Sequence, residues 1–155
     1  MAHIYKARIR WERGDSDFAS GRYSRLHEWG FDEGISVRAS SSPLSVRLPY
    51  SAADAVDPEE ALVAATSSCH MLFFLLFAQK AGFLIDSYED EASGLMEKDS
   101  RGKLAITKIT LRPKIAFGGA KRPSEADLAE LHHRSHEECY IANSIRAEVT
   151  VEAAA

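Results

Sequence analysis

Residues 57–82 predict one long helix that is apolar on nearly every side. Asp57 can cap this helix, and Pro58 suits its first position because the missing N–H would be unpaired there. The apolar run of residues 71–78 follows, and Gly82 is a natural stop. A helix with this pattern needs cover on every side, so we expect it to form the buried centre of the fold.

Shorter segments on either side of this helix have the composition of β-strands. A phase slip in the apolar pattern near Thr107 and Lys108 predicts a β-bulge. A second helix is predicted from Pro123 to about Glu138, and no linker or repeat divides residues 1–155. This order is typical of a single α+β domain with a mainly antiparallel sheet. The expected strands are residues 4–11, 22–31, 35–39 and 45–48, then 88–97, 104–117 and 146–152.

Charge and hydropathy narrow the class of partner. The net charge of −4 argues against nucleic acid or an acidic membrane surface. Residues 1–6 lack an apolar signal region, and the longest apolar run is far shorter than the roughly 20 residues that span a bilayer. We therefore expect a cytoplasmic protein with no membrane partner. Because one small sheet covers only one side of the central helix, we also expect a second copy to cover the rest, as in an obligate dimer.

The chain contains two cysteines, Cys69 within the central helix and Cys139 at the end of the second helix. In a reducing compartment a cysteine pair is more often catalytic than structural. One interpretation is redox chemistry; the other is that Cys69 is a small buried hydrophobic residue.

A cysteine that reduces peroxide must be a thiolate, and a second thiol must capture the resulting sulfenic acid. Cys69 lies in the middle of its helix, where the helix dipole helps little, so an arginine must supply the positive field. Arg22 and Arg25, on the aromatic-rich second strand, are the candidates, although each is equally typical of an exposed sheet residue.

A metal site is a further alternative, because His132, His136 and Cys139 share one helical face. Nitrogen and sulfur donors suit zinc. However, Cys139 lies where the helix should end, and no paired motif such as C-x-x-C is present. We favour solvated histidines and predict no metal.

Two motifs together resemble the OsmC/Ohr family of osmotically inducible and organic hydroperoxide resistance proteins. The first is Asp57-Pro58-Glu59-Glu60 followed by Cys69, and the second is Cys139-Tyr140-Ile141-Ala142-Asn143-Ser144. The resemblance also includes Gly82-Phe83 and the strand at residues 105–109, and it spans nearly the whole chain. His70 departs from the aromatic or apolar residue that commonly follows the cysteine.

The resemblance implies an OsmC-like fold, with antiparallel sheets around a long central helix in an intertwined homodimer. It implies a peroxidase in oxidative-stress defence that reduces organic hydroperoxides without a cofactor. Cys69 would be the peroxidatic thiol and Cys139 the resolving thiol. Glu59 would orient the catalytic arginine, for which the segment around Arg22 is favoured and Arg25 stays open. An external dithiol, such as a lipoyl group, would reduce the disulfide. A ligand-binding or metal-binding protein on the same fold remains the alternative.

Overall fold

The computed structural model of the protein describes residues 1–152, which form two compact units, residues 1–61 and residues 62–152. The first unit contains one antiparallel sheet in the order β1-β2-β3, with Trp29 of the central strand opposite Ile9 and Val37. The strands are short: β1 is Arg8–Arg10, β2 is His27–Gly30 and β3 is Ser36–Ala39.

Two of the strands predicted for this unit are shorter than expected, and a third is absent. The segment predicted as strand 22–31 enters the sheet only at His27, and residues 45–48 form no strand. At the latter position Ser42 organises a turn: its carbonyl accepts the N–H groups of Ser45 and Val46, and its hydroxyl accepts the N–H of Leu44. Such local bonds offer the backbone an alternative to a sheet ladder.

The long helix α1 spans Pro58–Lys80, as predicted. Asp57 accepts the N–H of Glu60 at 2.8 Å, and the Glu60 carboxylate accepts the N–H of Asp57 at 3.4 Å, which is a reciprocal cap. After the helix, Gly82 adopts a φ of 78°, a conformation that glycine reaches without steric cost.

The second unit contains two sheets and helix α2. Two segments predicted as single strands, 88–97 and 104–117, each divide between the two sheets. The division at Arg112 has a visible cause: its N–H donates to the Asp90 carboxylate, and its guanidinium binds Ser93 and Glu152. The elements are β4 (Leu84–Asp90) paired with β7 (Pro113–Gly118); β5 (Ser93–Lys98), β6 (Leu104–Leu111) and β8 (Glu148–Val151); and α2 (Glu125–Glu138).

Other expectations for this unit are confirmed. The register of β5 on β6 shifts between Leu95 and Met96, which leaves Thr107 as the extra residue of the predicted bulge. Strand β8 runs parallel to β6, and the remaining pairs are antiparallel. Ser124 caps α2 by accepting the N–H of Asp127. The α+β class is therefore correct.

The core of the second unit forms where α1 meets β4, β7 and α2. The buried cluster consists of Phe74, Phe77, Ala78, Phe83 and Leu131. Residues 1–152 enclose one face of α1 and leave another open, because Leu72 is 59% and Leu76 is 42% exposed. The expectation of a helix buried on every side is thus met on one side only.

Helix α1 also has the length and hydropathy of a membrane span, with a mean hydropathy of 1.9 over its most apolar window. Core helices of globular proteins have the same length and composition. Here the polar side chains of α1 make specific bonds to its neighbours: Ser67 donates to Asp90 of β4, and His70 pairs with His132 of α2.

Candidate active site

The two cysteine thiols lie together where α1 meets the end of α2. Cys69 is in the middle of α1, and Cys139 is the residue that closes α2. Both are free thiols, and Cys69 is close enough to Cys139 to raise the pKa of that thiol. They differ in access, because Cys69 is half-buried whereas Cys139 is 1% exposed. A reagent from solvent therefore meets Cys69 first.

The surroundings of Cys139 favour its protonated form. Burial raises the pKa of the Cys139 thiol to about 11, and its contact with Cys69 acts in the same direction. The backbone N–H of Ala142 donates to the Cys139 sulfur at 3.4 Å and opposes this rise only in part. At neutral pH, Cys139 is consequently a thiol that must lose a proton before it can act as a nucleophile.

A buried histidine, His70, pairs with a half-buried one, His132. His70 Nε2 and His132 Nδ1 are 3.0 Å apart, and the two rings are stacked with an interplanar angle of 13°. Burial, together with the neighbouring His132 and His136, lowers the pKa of His70 to about 4. Burial also lowers the pKa of His132, against the opposing charge of Asp90. The pair is therefore neutral at physiological pH.

Sequence reasoning noted His70 as unusual but did not predict this pairing. The available signal was the spacing of His132, His136 and Cys139 along one face of α2. A helical face that presents a thiol to Cys69 must also present its imidazoles to the residues next to Cys69. Within residues 1–152, no three histidine, cysteine or acidic side chains converge as metal ligands, so the metal alternative gains no support.

The predicted arginine and glutamate are both in the first unit and are not paired with each other. Arg22 binds the carboxylate of Asp17 at 3.0 Å and the hydroxyl of Ser20 at 3.0 Å. Glu59 is half-buried in the first turn of α1, and among residues 1–152 it has no salt bridge. In this chain Glu59 therefore does not hold Arg22.

Arg25 has a different environment from Arg22. Its guanidinium lies 3.7 Å from the centroid of the Tyr23 ring and donates to the backbone carbonyls of Gly21 and Tyr23. Within the described part of the chain no carboxylate is in salt-bridge range of Arg25. Neutral groups therefore hold the Arg25 guanidinium in place, and its positive charge can bind an anion.

A cavity of about 970 Å³ opens between α2 and strands β7 and β8. Its floor is apolar, and the imidazoles of His132 and His136 lie along the α2 side. These two histidines are therefore in contact with a solvent-accessible space. The apolar lining includes Ile115, Phe117, Leu128, Val149 and Val151.

The sequence matches one known protein family. A sequence profile described as OsmC-like protein matches residues 51–154. The chain belongs to the OsmC-like family. The region matched in this OsmC-like chain includes Glu59, Cys69 and Cys139, and it excludes the segment that carries Arg22 and Arg25. A search of curated proteins gave no match.

Solved structures extend the likeness to the whole OsmC-like chain. An OsmC-like protein of unknown function from Vibrio cholerae is 46% identical, with a TM-score of 0.96 over 99% of this chain and 100% of that one. The organic hydroperoxide resistance protein OhrB of Bacillus subtilis is 19% identical, with a TM-score of 0.67 over 98% of each chain. An organic hydroperoxide resistance protein OsmC from Legionella pneumophila is 14% identical, with a TM-score of 0.63 over 98% and 97%. The last two show a shared fold.

Proposed function

We propose that this OsmC-like protein is a cysteine-based peroxidase that reduces organic hydroperoxides to alcohols in oxidative-stress defence. The observation that carries the proposal is the proximity of a half-buried thiol, Cys69, to a fully buried thiol, Cys139. A solvent-accessible sulfur with a second sulfur behind it is the arrangement that a two-cysteine peroxidase requires. The names of the Bacillus subtilis and Legionella pneumophila structures support organic hydroperoxides as the substrate class.

The proposed reaction has three steps. The Cys69 thiolate attacks the distal peroxide oxygen, the O–O bond breaks, and the alcohol leaves with a proton while Cys69 becomes a sulfenic acid. Cys139 then attacks that sulfur, and a disulfide and water form. An external dithiol, for which a lipoyl group is our candidate, reduces the disulfide and completes the cycle in a reducing cytoplasm.

An arginine is needed to stabilise the Cys69 thiolate and the developing alkoxide. Arg22 is the residue that the sequence favours, with Glu59 as its partner, but the salt bridge to Asp17 already occupies Arg22. Arg25 has no such competitor and becomes the stronger candidate. Replacing each arginine by lysine keeps the charge but removes the planar fork, so the catalytic arginine is the one whose replacement lowers turnover sharply. Arg13→Lys is the matched control.

We propose that the working form is a homodimer. Leu72 and Leu76 present an apolar face of α1 that the described part of the chain leaves uncovered, and a second copy would bury it. Leu72→Glu should shift the protein toward monomer in sedimentation velocity at micromolar concentration. Leu104→Glu, at an exposed leucine outside helix α1, should not. A wild-type protein that sediments as a monomer would contradict the proposal.

The decisive experiment is steady-state turnover of cumene hydroperoxide and hydrogen peroxide, with dihydrolipoamide or dithiothreitol as the reductant. Cys69→Ser should abolish turnover, whereas Cys139→Ser should allow one oxidation and then accumulate over-oxidised Cys69 in mass spectra. Ser68→Ala, an exposed neighbour in the same helix, should retain activity. Turnover that survives Cys69→Ser would overturn the proposal.

A second candidate is a ligand-binding protein without catalysis, and the cavity between α2 and the two strands favours it. Its volume is in the range of small-molecule sites. This function predicts no peroxide consumption above the rate of free thiols, so the same assay separates the two.

A further inference from the structure

The cavity of about 970 Å³ lies wholly within the second unit, between one face of α2 and strands β7 and β8. Its walls are largely apolar, with Ile115 and Phe117 on β7, Leu128 on α2, and Val149 and Val151 on β8. The proposed peroxidase cycle uses none of these residues. Cavities of this size commonly hold a small organic molecule, with apolar walls that contribute affinity and a few polar groups that fix its orientation.

The polar groups of this cavity are unevenly placed along α2. His132, His133 and His136 line it from the second half of the helix, and Lys114 of β7 also borders the space. Among the described lining residues Glu125 is the one carboxylate, and it lies about 10 Å of helix before His132. The cavity therefore has imidazoles toward one end of α2 and a carboxylate at the other.

The three imidazoles differ in their freedom to bind a ligand. His133 Nε2 lies 3.4 Å from the Glu137 carboxylate, and the Nδ1 atom of His136 is buried, out of reach of a ligand. His132 Nδ1 is paired with His70. The other ring nitrogen of His132, Nε2, has no hydrogen-bond partner among residues 1–152 and is accessible to solvent. His132 therefore offers an open nitrogen to the cavity.

The pairing with His70 decides which form of His132 faces the cavity. His70 is 1% exposed, and its Nδ1 is buried without a partner among the described residues. If His132 donated to His70, the proton of His70 would have to lie on that Nδ1, as a buried N–H without an acceptor. In protein interiors a donor without an acceptor is rarer than an unused acceptor. His70 Nε2–H therefore donates to His132 Nδ1, and the neutral His132 ring carries its own proton on Nε2.

We propose that this cavity binds an apolar carboxylic acid, whose carboxylate accepts the His132 Nε2–H and whose aliphatic or aryl body lies against the apolar walls of β7 and β8. An ionised carboxylate has only acceptor oxygens, so it matches a nitrogen that is fixed as a donor. The thiols take no part in this binding, so the inference holds whether or not the chain is a peroxidase.

The charge of Lys114 acts in the same direction. Among the described residues that line the cavity, Lys114 is the one permanent cation, and a positive charge at the rim favours an anionic ligand. Its ammonium lies 3.8 Å from the Glu91 carboxylate, but both side chains are more than half exposed. Solvent weakens such a pair, so Glu91 is a weak competitor for Lys114.

Three probes with the same apolar body and different head groups test this assignment: octanoate, 1-octanol and octylamine. Each is titrated into the reduced full-length protein at pH 7.5 and followed by isothermal titration calorimetry. Octanoate should bind at least about tenfold more tightly than either of the others, because a hydrogen bond to a charged acceptor is stronger than a neutral one and an ammonium offers no acceptor. Equal or tighter binding of 1-octanol or octylamine would overturn the inference, as would the absence of saturable octanoate binding.

Two tryptophan variants of α2 locate the site. Ala129 is exposed and lines the cavity, so Ala129→Trp should fill part of the space and weaken octanoate binding by about tenfold or more. Ala126→Trp, at an exposed position of the same helix that does not line the cavity, should bind octanoate as the wild type does. Urea denaturation checks that both variants are folded. Wild-type affinity in Ala129→Trp would place octanoate elsewhere and overturn the inference.

Nitrogen-15 spectra of the histidine rings test the donor without any substitution. In the wild-type protein at pH 7.5, the His132 ring should be protonated at Nε2, and octanoate should shift this nitrogen. A His132 ring protonated at Nδ1 would overturn the inference. Peroxide turnover enters none of these measurements, so failure of the proposed function and failure of this inference are observed separately.

Discussion

Within residues 62–152 a continuous apolar cluster joins α1, α2 and two strands, whereas within residues 1–61 the only fully buried apolar residue is Ala39. Both units contain a three-stranded sheet. In the first unit the sheet strands are three or four residues long, and large side chains such as Ile9 and Ile35 are each 60% exposed. A sheet of this size has little independent stability unless another surface covers it.

This difference shows which interactions stabilise each unit. The second unit is stabilised by burial of large side chains and supports the thiol pair on two helices. The first unit depends on turns and caps, on an aromatic cluster of Trp11, Phe18 and Tyr23, and, in the proposed dimer, on the second copy. Substitutions in the two units should therefore differ in size and kind.

The largest effect should come from the core of the second unit. Phe74 is fully buried and contacts Tyr88 and His132, so Phe74→Ala removes a large side chain and leaves a cavity. We expect a loss of about 3–5 kcal/mol in the free energy of unfolding, measured by urea denaturation. Leu84→Ala, at a 57% exposed position, should cost far less. Equal costs would mean that the cluster is not the source of stability.

Acid should destabilise the second unit through its buried histidines. The folded-state pKa of His70 is about 4 against 6.5 for the ordinary group, so the unfolded chain binds the proton first. The stability gained by keeping His70 neutral is fully present above pH 6.5. It is lost as the pH falls from 6.5 through about 4, a total of about 3 kcal/mol in the free energy of unfolding. His70→Gln should lose this part of the pH dependence in urea titrations, and His133→Gln should retain it. An unchanged slope in His70→Gln would show that burial of His70 does not govern it.

In the first unit, the aromatic cluster should be the main contributor. Trp11 makes ring contacts with Phe18 and Tyr23, and its Nε1 donates to the Ser24 carbonyl at 2.8 Å. Because Trp11→Ala removes two aromatic pairs and one hydrogen bond, we expect it to lower the free energy of unfolding by about 2 kcal/mol in urea denaturation. Phe31→Ala, at a similarly exposed aromatic outside the cluster, should cost less. If Phe31→Ala cost more than Trp11→Ala, the aromatic cluster would not be the main source of stability in this unit.

The smallest effect concerns the cap of α1. Asp57→Ala removes the acceptor for the Glu60 N–H and should cost about 1 kcal/mol in urea denaturation. Asp57→Asn keeps an acceptor oxygen and should recover most of the loss. If Asp57→Ala and Asp57→Asn have the same free energy of unfolding, the amide oxygen of asparagine does not replace the carboxylate as the helix cap.

Features governed by local chemistry could be predicted from the sequence. The cap at Asp57, the stop at Gly82, the bulge at Thr107 and the cap at Ser124 each follow from residues within a few positions. The family motifs implied that Cys69 and Cys139 are neighbours, and in the structure Cys69 lies close enough to affect the pKa of Cys139.

Features that depend on distant residues could not be predicted. The division of residues 104–117 at Arg112 requires Asp90 as an acceptor 22 positions away. The pairing of His70 with His132 joins two helices whose relative rotation no single segment encodes.

The hydrogen bond between His70 and His132 gives the protein a spectroscopic probe of its own. One of the two rings donates an N–H to the other, so this proton lies between two neutral imidazoles. His70 is only 1% exposed. Such a proton exchanges with water only when the structure opens locally. It should appear as a low-field line in proton NMR spectra of unlabelled protein. Because this pair lies one residue from Cys69, its shift would record each change of redox state at the thiols as it occurs.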